Sequence, residues 1–245
     1  MNDLIKSGER IDDLQYKGLK LIQNPKGFCF GIDAILLSSF VHVKKGAKVA
    51  DLGCGTGIIS IMLSGKTEAS SISGIEIQPE VAEMADRSVK LNHLQEKVRI
   101  INADLKEVPA LLGLSSMDAV VTNPPYRTEG CGIVNSDDAK AISRHEILCK
   151  LEDIIRVTKS ILKPAGKIFM VHRPDRLVDI ICQLRNYNLE PKRLRFVHPR
   201  VGEKPNLILI EALRGGNAHL RVEAPLYIYE GNKYTEEVKN MYNIG

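Results

Sequence analysis

The segment that most constrains this chain is Asp51-Leu52-Gly53-Cys54-Gly55-Thr56-Gly57, a glycine-rich turn between the apolar run Val49-Ala50 and the apolar segment Ile58 to Leu63. A buried strand that ends in three glycines and reopens as a helix starts a βαβ unit. Glycine lets the backbone bend sharply there and approach a ligand closely. The turn therefore predicts a nucleotide-type cofactor. It is not a phosphate loop, because no Lys-Ser/Thr pair follows. Its Gly-x-Gly-x-Gly spacing also puts Ile58 where a dinucleotide fingerprint needs glycine. Asp51, at the strand end, would repel a pyrophosphate and suits a cationic amino-acid moiety.

Strand and helix patterns alternate along the rest of the chain. Strands are predicted at Ser73–Ile77, Val98–Ala103, Met117–Thr122 and Lys167–Val171. Helical spacing covers Glu80 to His93 behind Pro79, Arg144 to Leu162 ahead of Pro164 and Gly166, and Asp175 to Asn186. Leu194–His198 and Leu207–Ala212 follow each other without a helix and read as an antiparallel pair. The expected fold is α/β: a doubly wound, mostly parallel, seven-stranded sheet of Rossmann-like type with an antiparallel edge pair. A small N-terminal hairpin is expected where Leu19–Ile22 and Phe28–Phe30 flank Asn24-Pro25-Lys26-Gly27, followed by a short helix over Ile32–Phe40. A single domain is expected, with residues 1–47 as the hairpin and helix extension, 48–213 as the core and 214–245 as a partly helical tail.

Glu76 ends the second strand roughly 20 residues past the glycines, where an acidic residue takes ribose hydroxyls. Asp104, at the end of the third strand, can accept from an adenine amino group beside the Leu105 amide, or cap a helix. The fourth strand runs into Asn123-Pro124-Pro125-Tyr126. Two prolines fix φ and leave their carbonyls as free acceptors, and Asn123 adds a side-chain carbonyl. Convergent acceptors of this kind suit both hydrogens of a planar amino group, with Tyr126 stacked on the ring. Drawing on both N–H groups favours a tetrahedral nitrogen with an available lone pair, so this loop is the expected catalytic element.

The 245 residues carry 44% apolar and 26% charged side chains, as an ordinary globular chain does. No apolar run approaches the roughly 18 residues that span a bilayer. Met1 to Lys6 lacks the order of a signal peptide, so a cytoplasmic, membrane-free protein is expected. Five cysteines at wide spacing, Cys29, Cys54, Cys131, Cys149 and Cys182, argue against both a disulfide framework and a metal site. The net charge is only +4, but residues 183–221 hold eight basic against three acidic side chains. That asymmetry suits a polyanionic partner.

With these residues in place, the chain resembles the class I methyltransferases of the amino-directed group, which use S-adenosyl-L-methionine. The order of motifs matches over about residues 28 to 213. Within that group it is most similar to the bacterial tRNA1(Val) adenine-N6 methyltransferases. Arg10-Ile11-Asp12-Asp13-Leu14-Gln15, the run from Phe28 to Leu37, His198-Pro199-Arg200 to Pro205 and Leu226-Tyr227-Ile228-Tyr229 carry this finer likeness. The resemblance implies cofactor contacts at Asp51, Gly53, Glu76, Asp104 and Asn123; Gly55, Gly57, Ile77 and Leu105 complete the expected set. Asp33, with Phe30, is expected to close over the methionine end, although a carboxylate there also suits a helix start. An RNA substrate implies an unpaired base. Its phosphates would meet Lys192, Arg193, Arg195, Arg200 and Lys204, unless these only guard an edge strand. Arg127, Arg144 and His145 are further candidates near the catalytic loop. A monomer acting on tRNA is the expectation. The alternatives are a protein glutamine-N5 enzyme, from which the roughly 47 residues before the first core strand lead away, a ribosomal RNA guanine-N2 enzyme, and a non-catalytic RNA-binding subunit.

Overall fold

The computed structural model describes residues 4–27, 29–124 and 150–243. Its core is a sheet built from β3 (Lys48–Leu52), β4 (Ser71–Glu76), β5 (Val98–Asn102), β6 (Met117–Thr122), β7 (Leu162–His172), β8 (Leu189–His198) and β9 (Leu207–Arg214). The strand order is β5-β4-β3-β6-β7-β9-β8. The first five strands in that order are parallel, and β9 runs antiparallel to both β7 and β8. The expected fold class is therefore met. The antiparallel pair lies at one end of the sheet, but β8 is not bare. Two short strands, β10 (Arg221–Val222) and β11 (Leu226–Tyr227), lie parallel along it.

Side-chain parity along the strands explains the two helical layers. Val49, Ala119, Val121, Phe169, Val171 and Leu209 pack with α1 (Ile32–Phe40) and α2 (Ile58–Lys66). Ala50, Val120, Ile168, Met170 and Ile210 face the opposite layer, with α4 (Val108–Leu112), α5 (Leu151–Ile161) and α6 (Leu177–Asn186). Between β4 and β5 runs α3 (Pro79–Leu91), with proline at its first position as anticipated.

The N-terminal hairpin is present, but with different partners from those expected. β1 (Arg10–Asp13) pairs antiparallel with β2 (Lys20–Gln23). Residues 24–27 instead form a tight turn, with Gly27 N–H donating to Asn24 O at 2.9 Å. A proline-led turn of this kind splays its flanking segments, so no strand follows directly. Cys29 and Phe30 lie outside any strand, and Phe28 lies outside the described residues. The hairpin docks on α3, where Ser88 Oγ accepts from Ile22 N–H at 3.0 Å and Asn92 Oδ1 from Lys20 N–H at 2.8 Å. Those side chains satisfy the outer rim of β2, which would otherwise be open to pairing. Ahead of β1, Arg87 is gripped by Glu9 and Glu83 and donates to Leu4 O, and the guanidinium holds Glu9 below the usual carboxylate range.

Other boundaries shift modestly. β7 begins at Leu162, directly after α5, and absorbs Pro164 and Gly166, which were expected to end the helix. A register shift opposite Met117 accommodates them. A short 3-10 turn, Pro174–Arg176, precedes α6. The tail adds a small hairpin, β12 (Tyr229–Glu230) with β13 (Lys233–Tyr234), then α7 (Glu236–Tyr242). Among the described residues no helix is long and apolar enough to cross a membrane.

One glycine outside the turn is required by packing. A Cβ on Gly74 would lie 2.8 Å from Ile100 Cδ1, 2.9 Å from Cys54 Sγ and 3.0 Å from Ser60 Oγ. Gly74→Ala is expected to cost about 1–3 kcal/mol through overpacking, read as a lower chemical-denaturation midpoint. An unchanged midpoint would show that the strand yields at no cost.

Candidate active site

The glycine turn and the Asn123 loop leave from neighbouring strand ends, because Leu52 of β3 stands opposite Thr122 of β6. The chain departs toward β4 on one side and toward β7 on the other. That is the switch point at which open α/β sheets form a ligand crevice. Asp51, Gly74, Glu76 and Asn123 share the strand parity of the α1–α2 face. These strand-end groups therefore converge on one side of the sheet.

Gly53, Gly55 and Gly57 take φ values of 73°, 54° and 84°. Glycine adopts such left-handed values without the strain that a Cβ would bring. Two successive amides, Gly53 N–H and Cys54 N–H, donate to Ile75 O at 2.9 Å each, which ties the turn to β4. A Cβ on Gly53 or Gly55 would meet nothing within 4 Å, so the turn faces open space.

Both acidic strand ends are buried. Glu76 Oε2 accepts from Gly55 N–H at 3.0 Å and Oε1 from Gln78 N–H at 3.0 Å. Asp51 is fully buried. Ser60 Oγ donates to its Oδ2 at 2.7 Å, and Oδ1 has no hydrogen-bond partner among the described residues. Burial pushes the Asp51 carboxyl up to about 7, opposed by the Ser60 hydrogen bonds and helped by the Glu76 charge. An orphaned buried carboxylate oxygen beside an open glycine turn fits a ligand that brings positive charge and hydrogen-bond donors. Ser60 and Gln78 went unread in the sequence, since neither carries a signal beyond its distance from an acid.

Asp33 and Asn123 are brought together. Asn123 Nδ2 donates to Asp33 Oδ2 at 3.0 Å across 90 residues of sequence. Asp33 is not the cap of α1, a position that Gly31 holds. It lies in the first turn, where Oδ1 accepts from Ala34 N–H at 2.9 Å. A carboxylate is favoured at that helix end. The bond to Asp33 fixes which way the Asn123 amide points. Thr122 Oγ1 donates to Leu52 O at 2.9 Å and locks the base of the loop to β3. Pro124 is buried. Pro125, Tyr126, Arg127, Arg144 and His145 lie outside the described residues.

Asp104 caps the 3-10 turn Leu105–Glu107 in a reciprocal box: its Oδ1 accepts from Lys106 N–H at 2.9 Å and its own N–H donates to Glu107 Oε2 at 3.0 Å. Ile77 and Leu105 stand beside Glu76 and Asp104 in the loops after β4 and β5, on the same edge of the sheet. No group of three or more candidate metal ligands occurs among the described residues.

The basic stretch of β8 differs from its expected outward, phosphate-facing role. Arg193 is largely buried, salt-bridged to Glu211 and Glu223 at 2.7 and 2.9 Å, and packed 4.2 Å over the Phe40 ring. Arg195 is paired with Glu237 at 2.6 Å and donates to Ala224 O. Their charges are compensated within the fold. Lys192 reaches Asn217 O at 2.9 Å. Arg200 and Lys204, in the exposed loop after β8, remain at the surface.

A family model described as "Methyltransferase small domain" matches residues 30–181. Among curated relatives, a tRNA1(Val) (adenine(37)-N6)-methyltransferase of Porphyromonas gingivalis is 27% identical over 206 residues, covering 82% of this chain and 80% of its own. The protein of that name from Parabacteroides distasonis is 24% identical and covers 93% of this chain and 96% of its own. Among solved structures, a predicted O-methyltransferase from Agrobacterium tumefaciens superposes with a TM-score of 0.70 at 26% identity, over 86% of this chain and 95% of that one. M. jannaschii TYW2 in complex with AdoMet shares the fold at a TM-score of 0.58 and 15% identity, over 85% and 86%.

Proposed function

Because this chain belongs to the methyltransferase small domain family, we propose that it transfers a methyl group from S-adenosylmethionine to the exocyclic N6 of an adenine in RNA, most directly the tRNA adenine named in its relatives. The observation that carries this reading is the Asn123–Asp33 bond at the switch point, in the loop Asn123-Pro124-Pro125-Tyr126. When bound, S-adenosylmethionine supplies an electrophilic methyl group on a sulfonium sulfur.

Each residue has a distinct task. Glu76 holds the ribose hydroxyls, exchanging or sharing its bond to Gly55 N–H. Asp51, with its unpartnered oxygen, sets the charge at the methionine end. Gly53, Gly55 and Gly57 let the backbone approach, and Asp104 with Leu105 borders the adenine side. Asn123 Oδ1 and the Pro124 carbonyl accept the two hydrogens of the target amine. That draws the nitrogen lone pair out of ring conjugation and aims it at the methyl carbon. Held by the glycine turn, Asp51 and Glu76, the donor would supply the methyl group that this lone pair takes up and would be left as a neutral thioether. The acceptors steady the charge that develops on nitrogen before its proton leaves. Tyr126 stacks on the base. In this reading the whole chain is one methyltransferase unit that acts as a monomer in the cytoplasm.

The test is transfer of labelled methyl from S-adenosylmethionine to tRNA, followed by nucleoside analysis. Label in N6-methyladenosine is the expected result; label in protein glutamine or in guanine overturns the substrate. A second measurement separates two roles for Asp33. As the group that positions Asn123, Asp33→Ala should lower kcat about 10–100-fold, the cost of a small misplacement, with cofactor affinity nearly intact. A loss confined to cofactor affinity would instead place Asp33 on the methionine end.

A further inference from the structure

Four of the chain's seven tyrosines fall in the tail, at positions 227, 229, 234 and 242. Three of them form a ladder. Tyr229 and Tyr234 stack with ring centroids 5.3 Å apart and planes 16° apart, and Tyr234 and Tyr242 stack at 5.7 Å and 16°. The Arg200 guanidinium closes one end, 5.4 Å from the Tyr229 centroid. All three rings are only partly buried.

Topology sets the ladder beside the catalytic edge. β8 is antiparallel to β9, which is antiparallel to β7, so β8 ends on the same edge of the sheet as β3, β4 and β6. β11 is parallel to β8. The 199–206 loop and the tail therefore both leave at the edge that holds Glu76 and Asn123. Pro199 O receives Tyr229 N–H at 2.9 Å, and Arg200 Nε donates to Gly231 O at 3.2 Å, which docks the two segments together. At the far end, α7 packs on α1, whose first turn carries Asp33. Lys66 Nζ holds Met241 O at 2.5 Å and Ser39 Oγ at 2.8 Å, fixing that packing. The ladder is thus assembled in advance, and it runs from an exposed cation toward the Asp33–Asn123 pair.

Neither cofactor binding nor the transfer step uses these rings. Filling the tail's interior needs apolar bulk alone, whereas a stack of partly buried rings capped by a half-exposed guanidinium backs a planar, positively charged surface at the Arg200 end. Arg200 is about half exposed, and Glu203, its carboxylate partner among the described residues at 3.2 Å, is equally exposed. That surface pair contributes little, so a phosphate can replace it. Val201, 77% exposed, and Lys204 complete the loop tip. Arginine planes and aromatic rings are the surfaces on which unpaired RNA bases stack.

We propose that the Arg200–Tyr229–Tyr234–Tyr242 ladder is an RNA platform, on whose Arg200 end an unpaired base flanking the methylated one stacks. The proposal rests on the RNA reading above. The test measures methylation of a tRNA transcript by the full chain. Tyr229→Leu is expected to raise KM for tRNA about tenfold, with kcat and cofactor affinity held, and Tyr229→Phe to recover most of that loss. Arg200→Gln is expected to raise KM about fivefold and to lessen its salt dependence, and Arg200→Lys, which keeps the charge but loses the planar guanidinium, to restore the salt dependence without the full affinity. A wild-type chain that methylates tRNA, with KM unmoved in both Tyr229→Leu and Arg200→Gln, overturns the platform alone. A wild-type chain that labels no RNA overturns the substrate reading, and the platform falls with it.

Discussion

Asn123→Ala should abolish methyl transfer, lowering kcat at least about a thousand-fold, while cofactor affinity stays within roughly tenfold. The side chain does two things that alanine cannot. It presents a carbonyl to the target nitrogen, and it is held by Asp33 at 3.0 Å so that this carbonyl keeps its direction. Removing one preorganised partner of a developing charge is among the costliest single changes at an active site. The cofactor side of the crevice is built by other elements: the glycine turn, Asp51 and Glu76 on β3 and β4. Thr122 keeps its own bond to Leu52 O, so the strand end persists in the variant. Equilibrium dialysis with labelled cofactor, beside single-turnover transfer, separates the two quantities. A variant that still transfers at the wild-type rate would remove Asn123 from the mechanism.

The second large effect concerns Asp51 and pH. Burial raises its carboxyl from an ordinary value near 3.8 to about 7 in the protein without ligand. A raised acid pKa means that the folded state holds the proton more tightly than the unfolded chain. Stability is therefore greatest in acid and falls as pH climbs from about 4 to about 7, by at most about 4 kcal/mol from this one group. Asp51→Asn keeps an acceptor for Ser60 Oγ and carries no charge. It should raise the melting temperature of the ligand-free protein most at pH 8 and by less than half as much at pH 5. Cofactor binding should move in the opposite direction. A cationic ligand favours the carboxylate, so affinity in the wild type should increase between pH 6 and 8 with release of a proton. Calorimetry in buffers of different ionisation enthalpy reads that proton directly. In Asp51→Asn the proton release should vanish and affinity at pH 8 should fall by about a hundredfold, the scale of removing a charge-assisted hydrogen bond from a buried site. Equal affinity in wild type and variant at pH 8 would show that the buried carboxylate serves folding alone.

Local pattern was enough to place every strand of the core and the glycine turn. Three glycines after a buried strand and two prolines after another each restrict φ and ψ within a few residues, so their meaning travels with the sequence. The α/β alternation likewise follows from apolar spacing, because a strand covered on both faces must be apolar almost throughout. Boundaries were less legible where a break is absorbed by a neighbour, as when Pro164 and Gly166 became part of β7 through a register shift opposite Met117. The hairpin was legible as a type of element but not by partner. The true partner, Arg10–Asp13, carries three charged residues in four and gives no apolar strand signal, and the turn at Asn24–Gly27 leads the apolar Cys29 and Phe30 away from Leu19–Ile22.

Sequence alone, then, determined the sheet and the glycine turn, since each depends on conformational limits of consecutive residues. Tertiary structure decided which distant groups meet. It paired Asp33 with Asn123, left one oxygen of Asp51 without a partner among the described residues, and turned Arg193 and Arg195 onto Glu211, Glu223 and Glu237. It also stacked Tyr229, Tyr234 and Tyr242 under Arg200. The physical reason is that a side chain's charge and ring are written in the sequence, but its neighbours are not. Whether an arginine meets a phosphate or a buried carboxylate depends on the packing of elements that lie far apart along the chain.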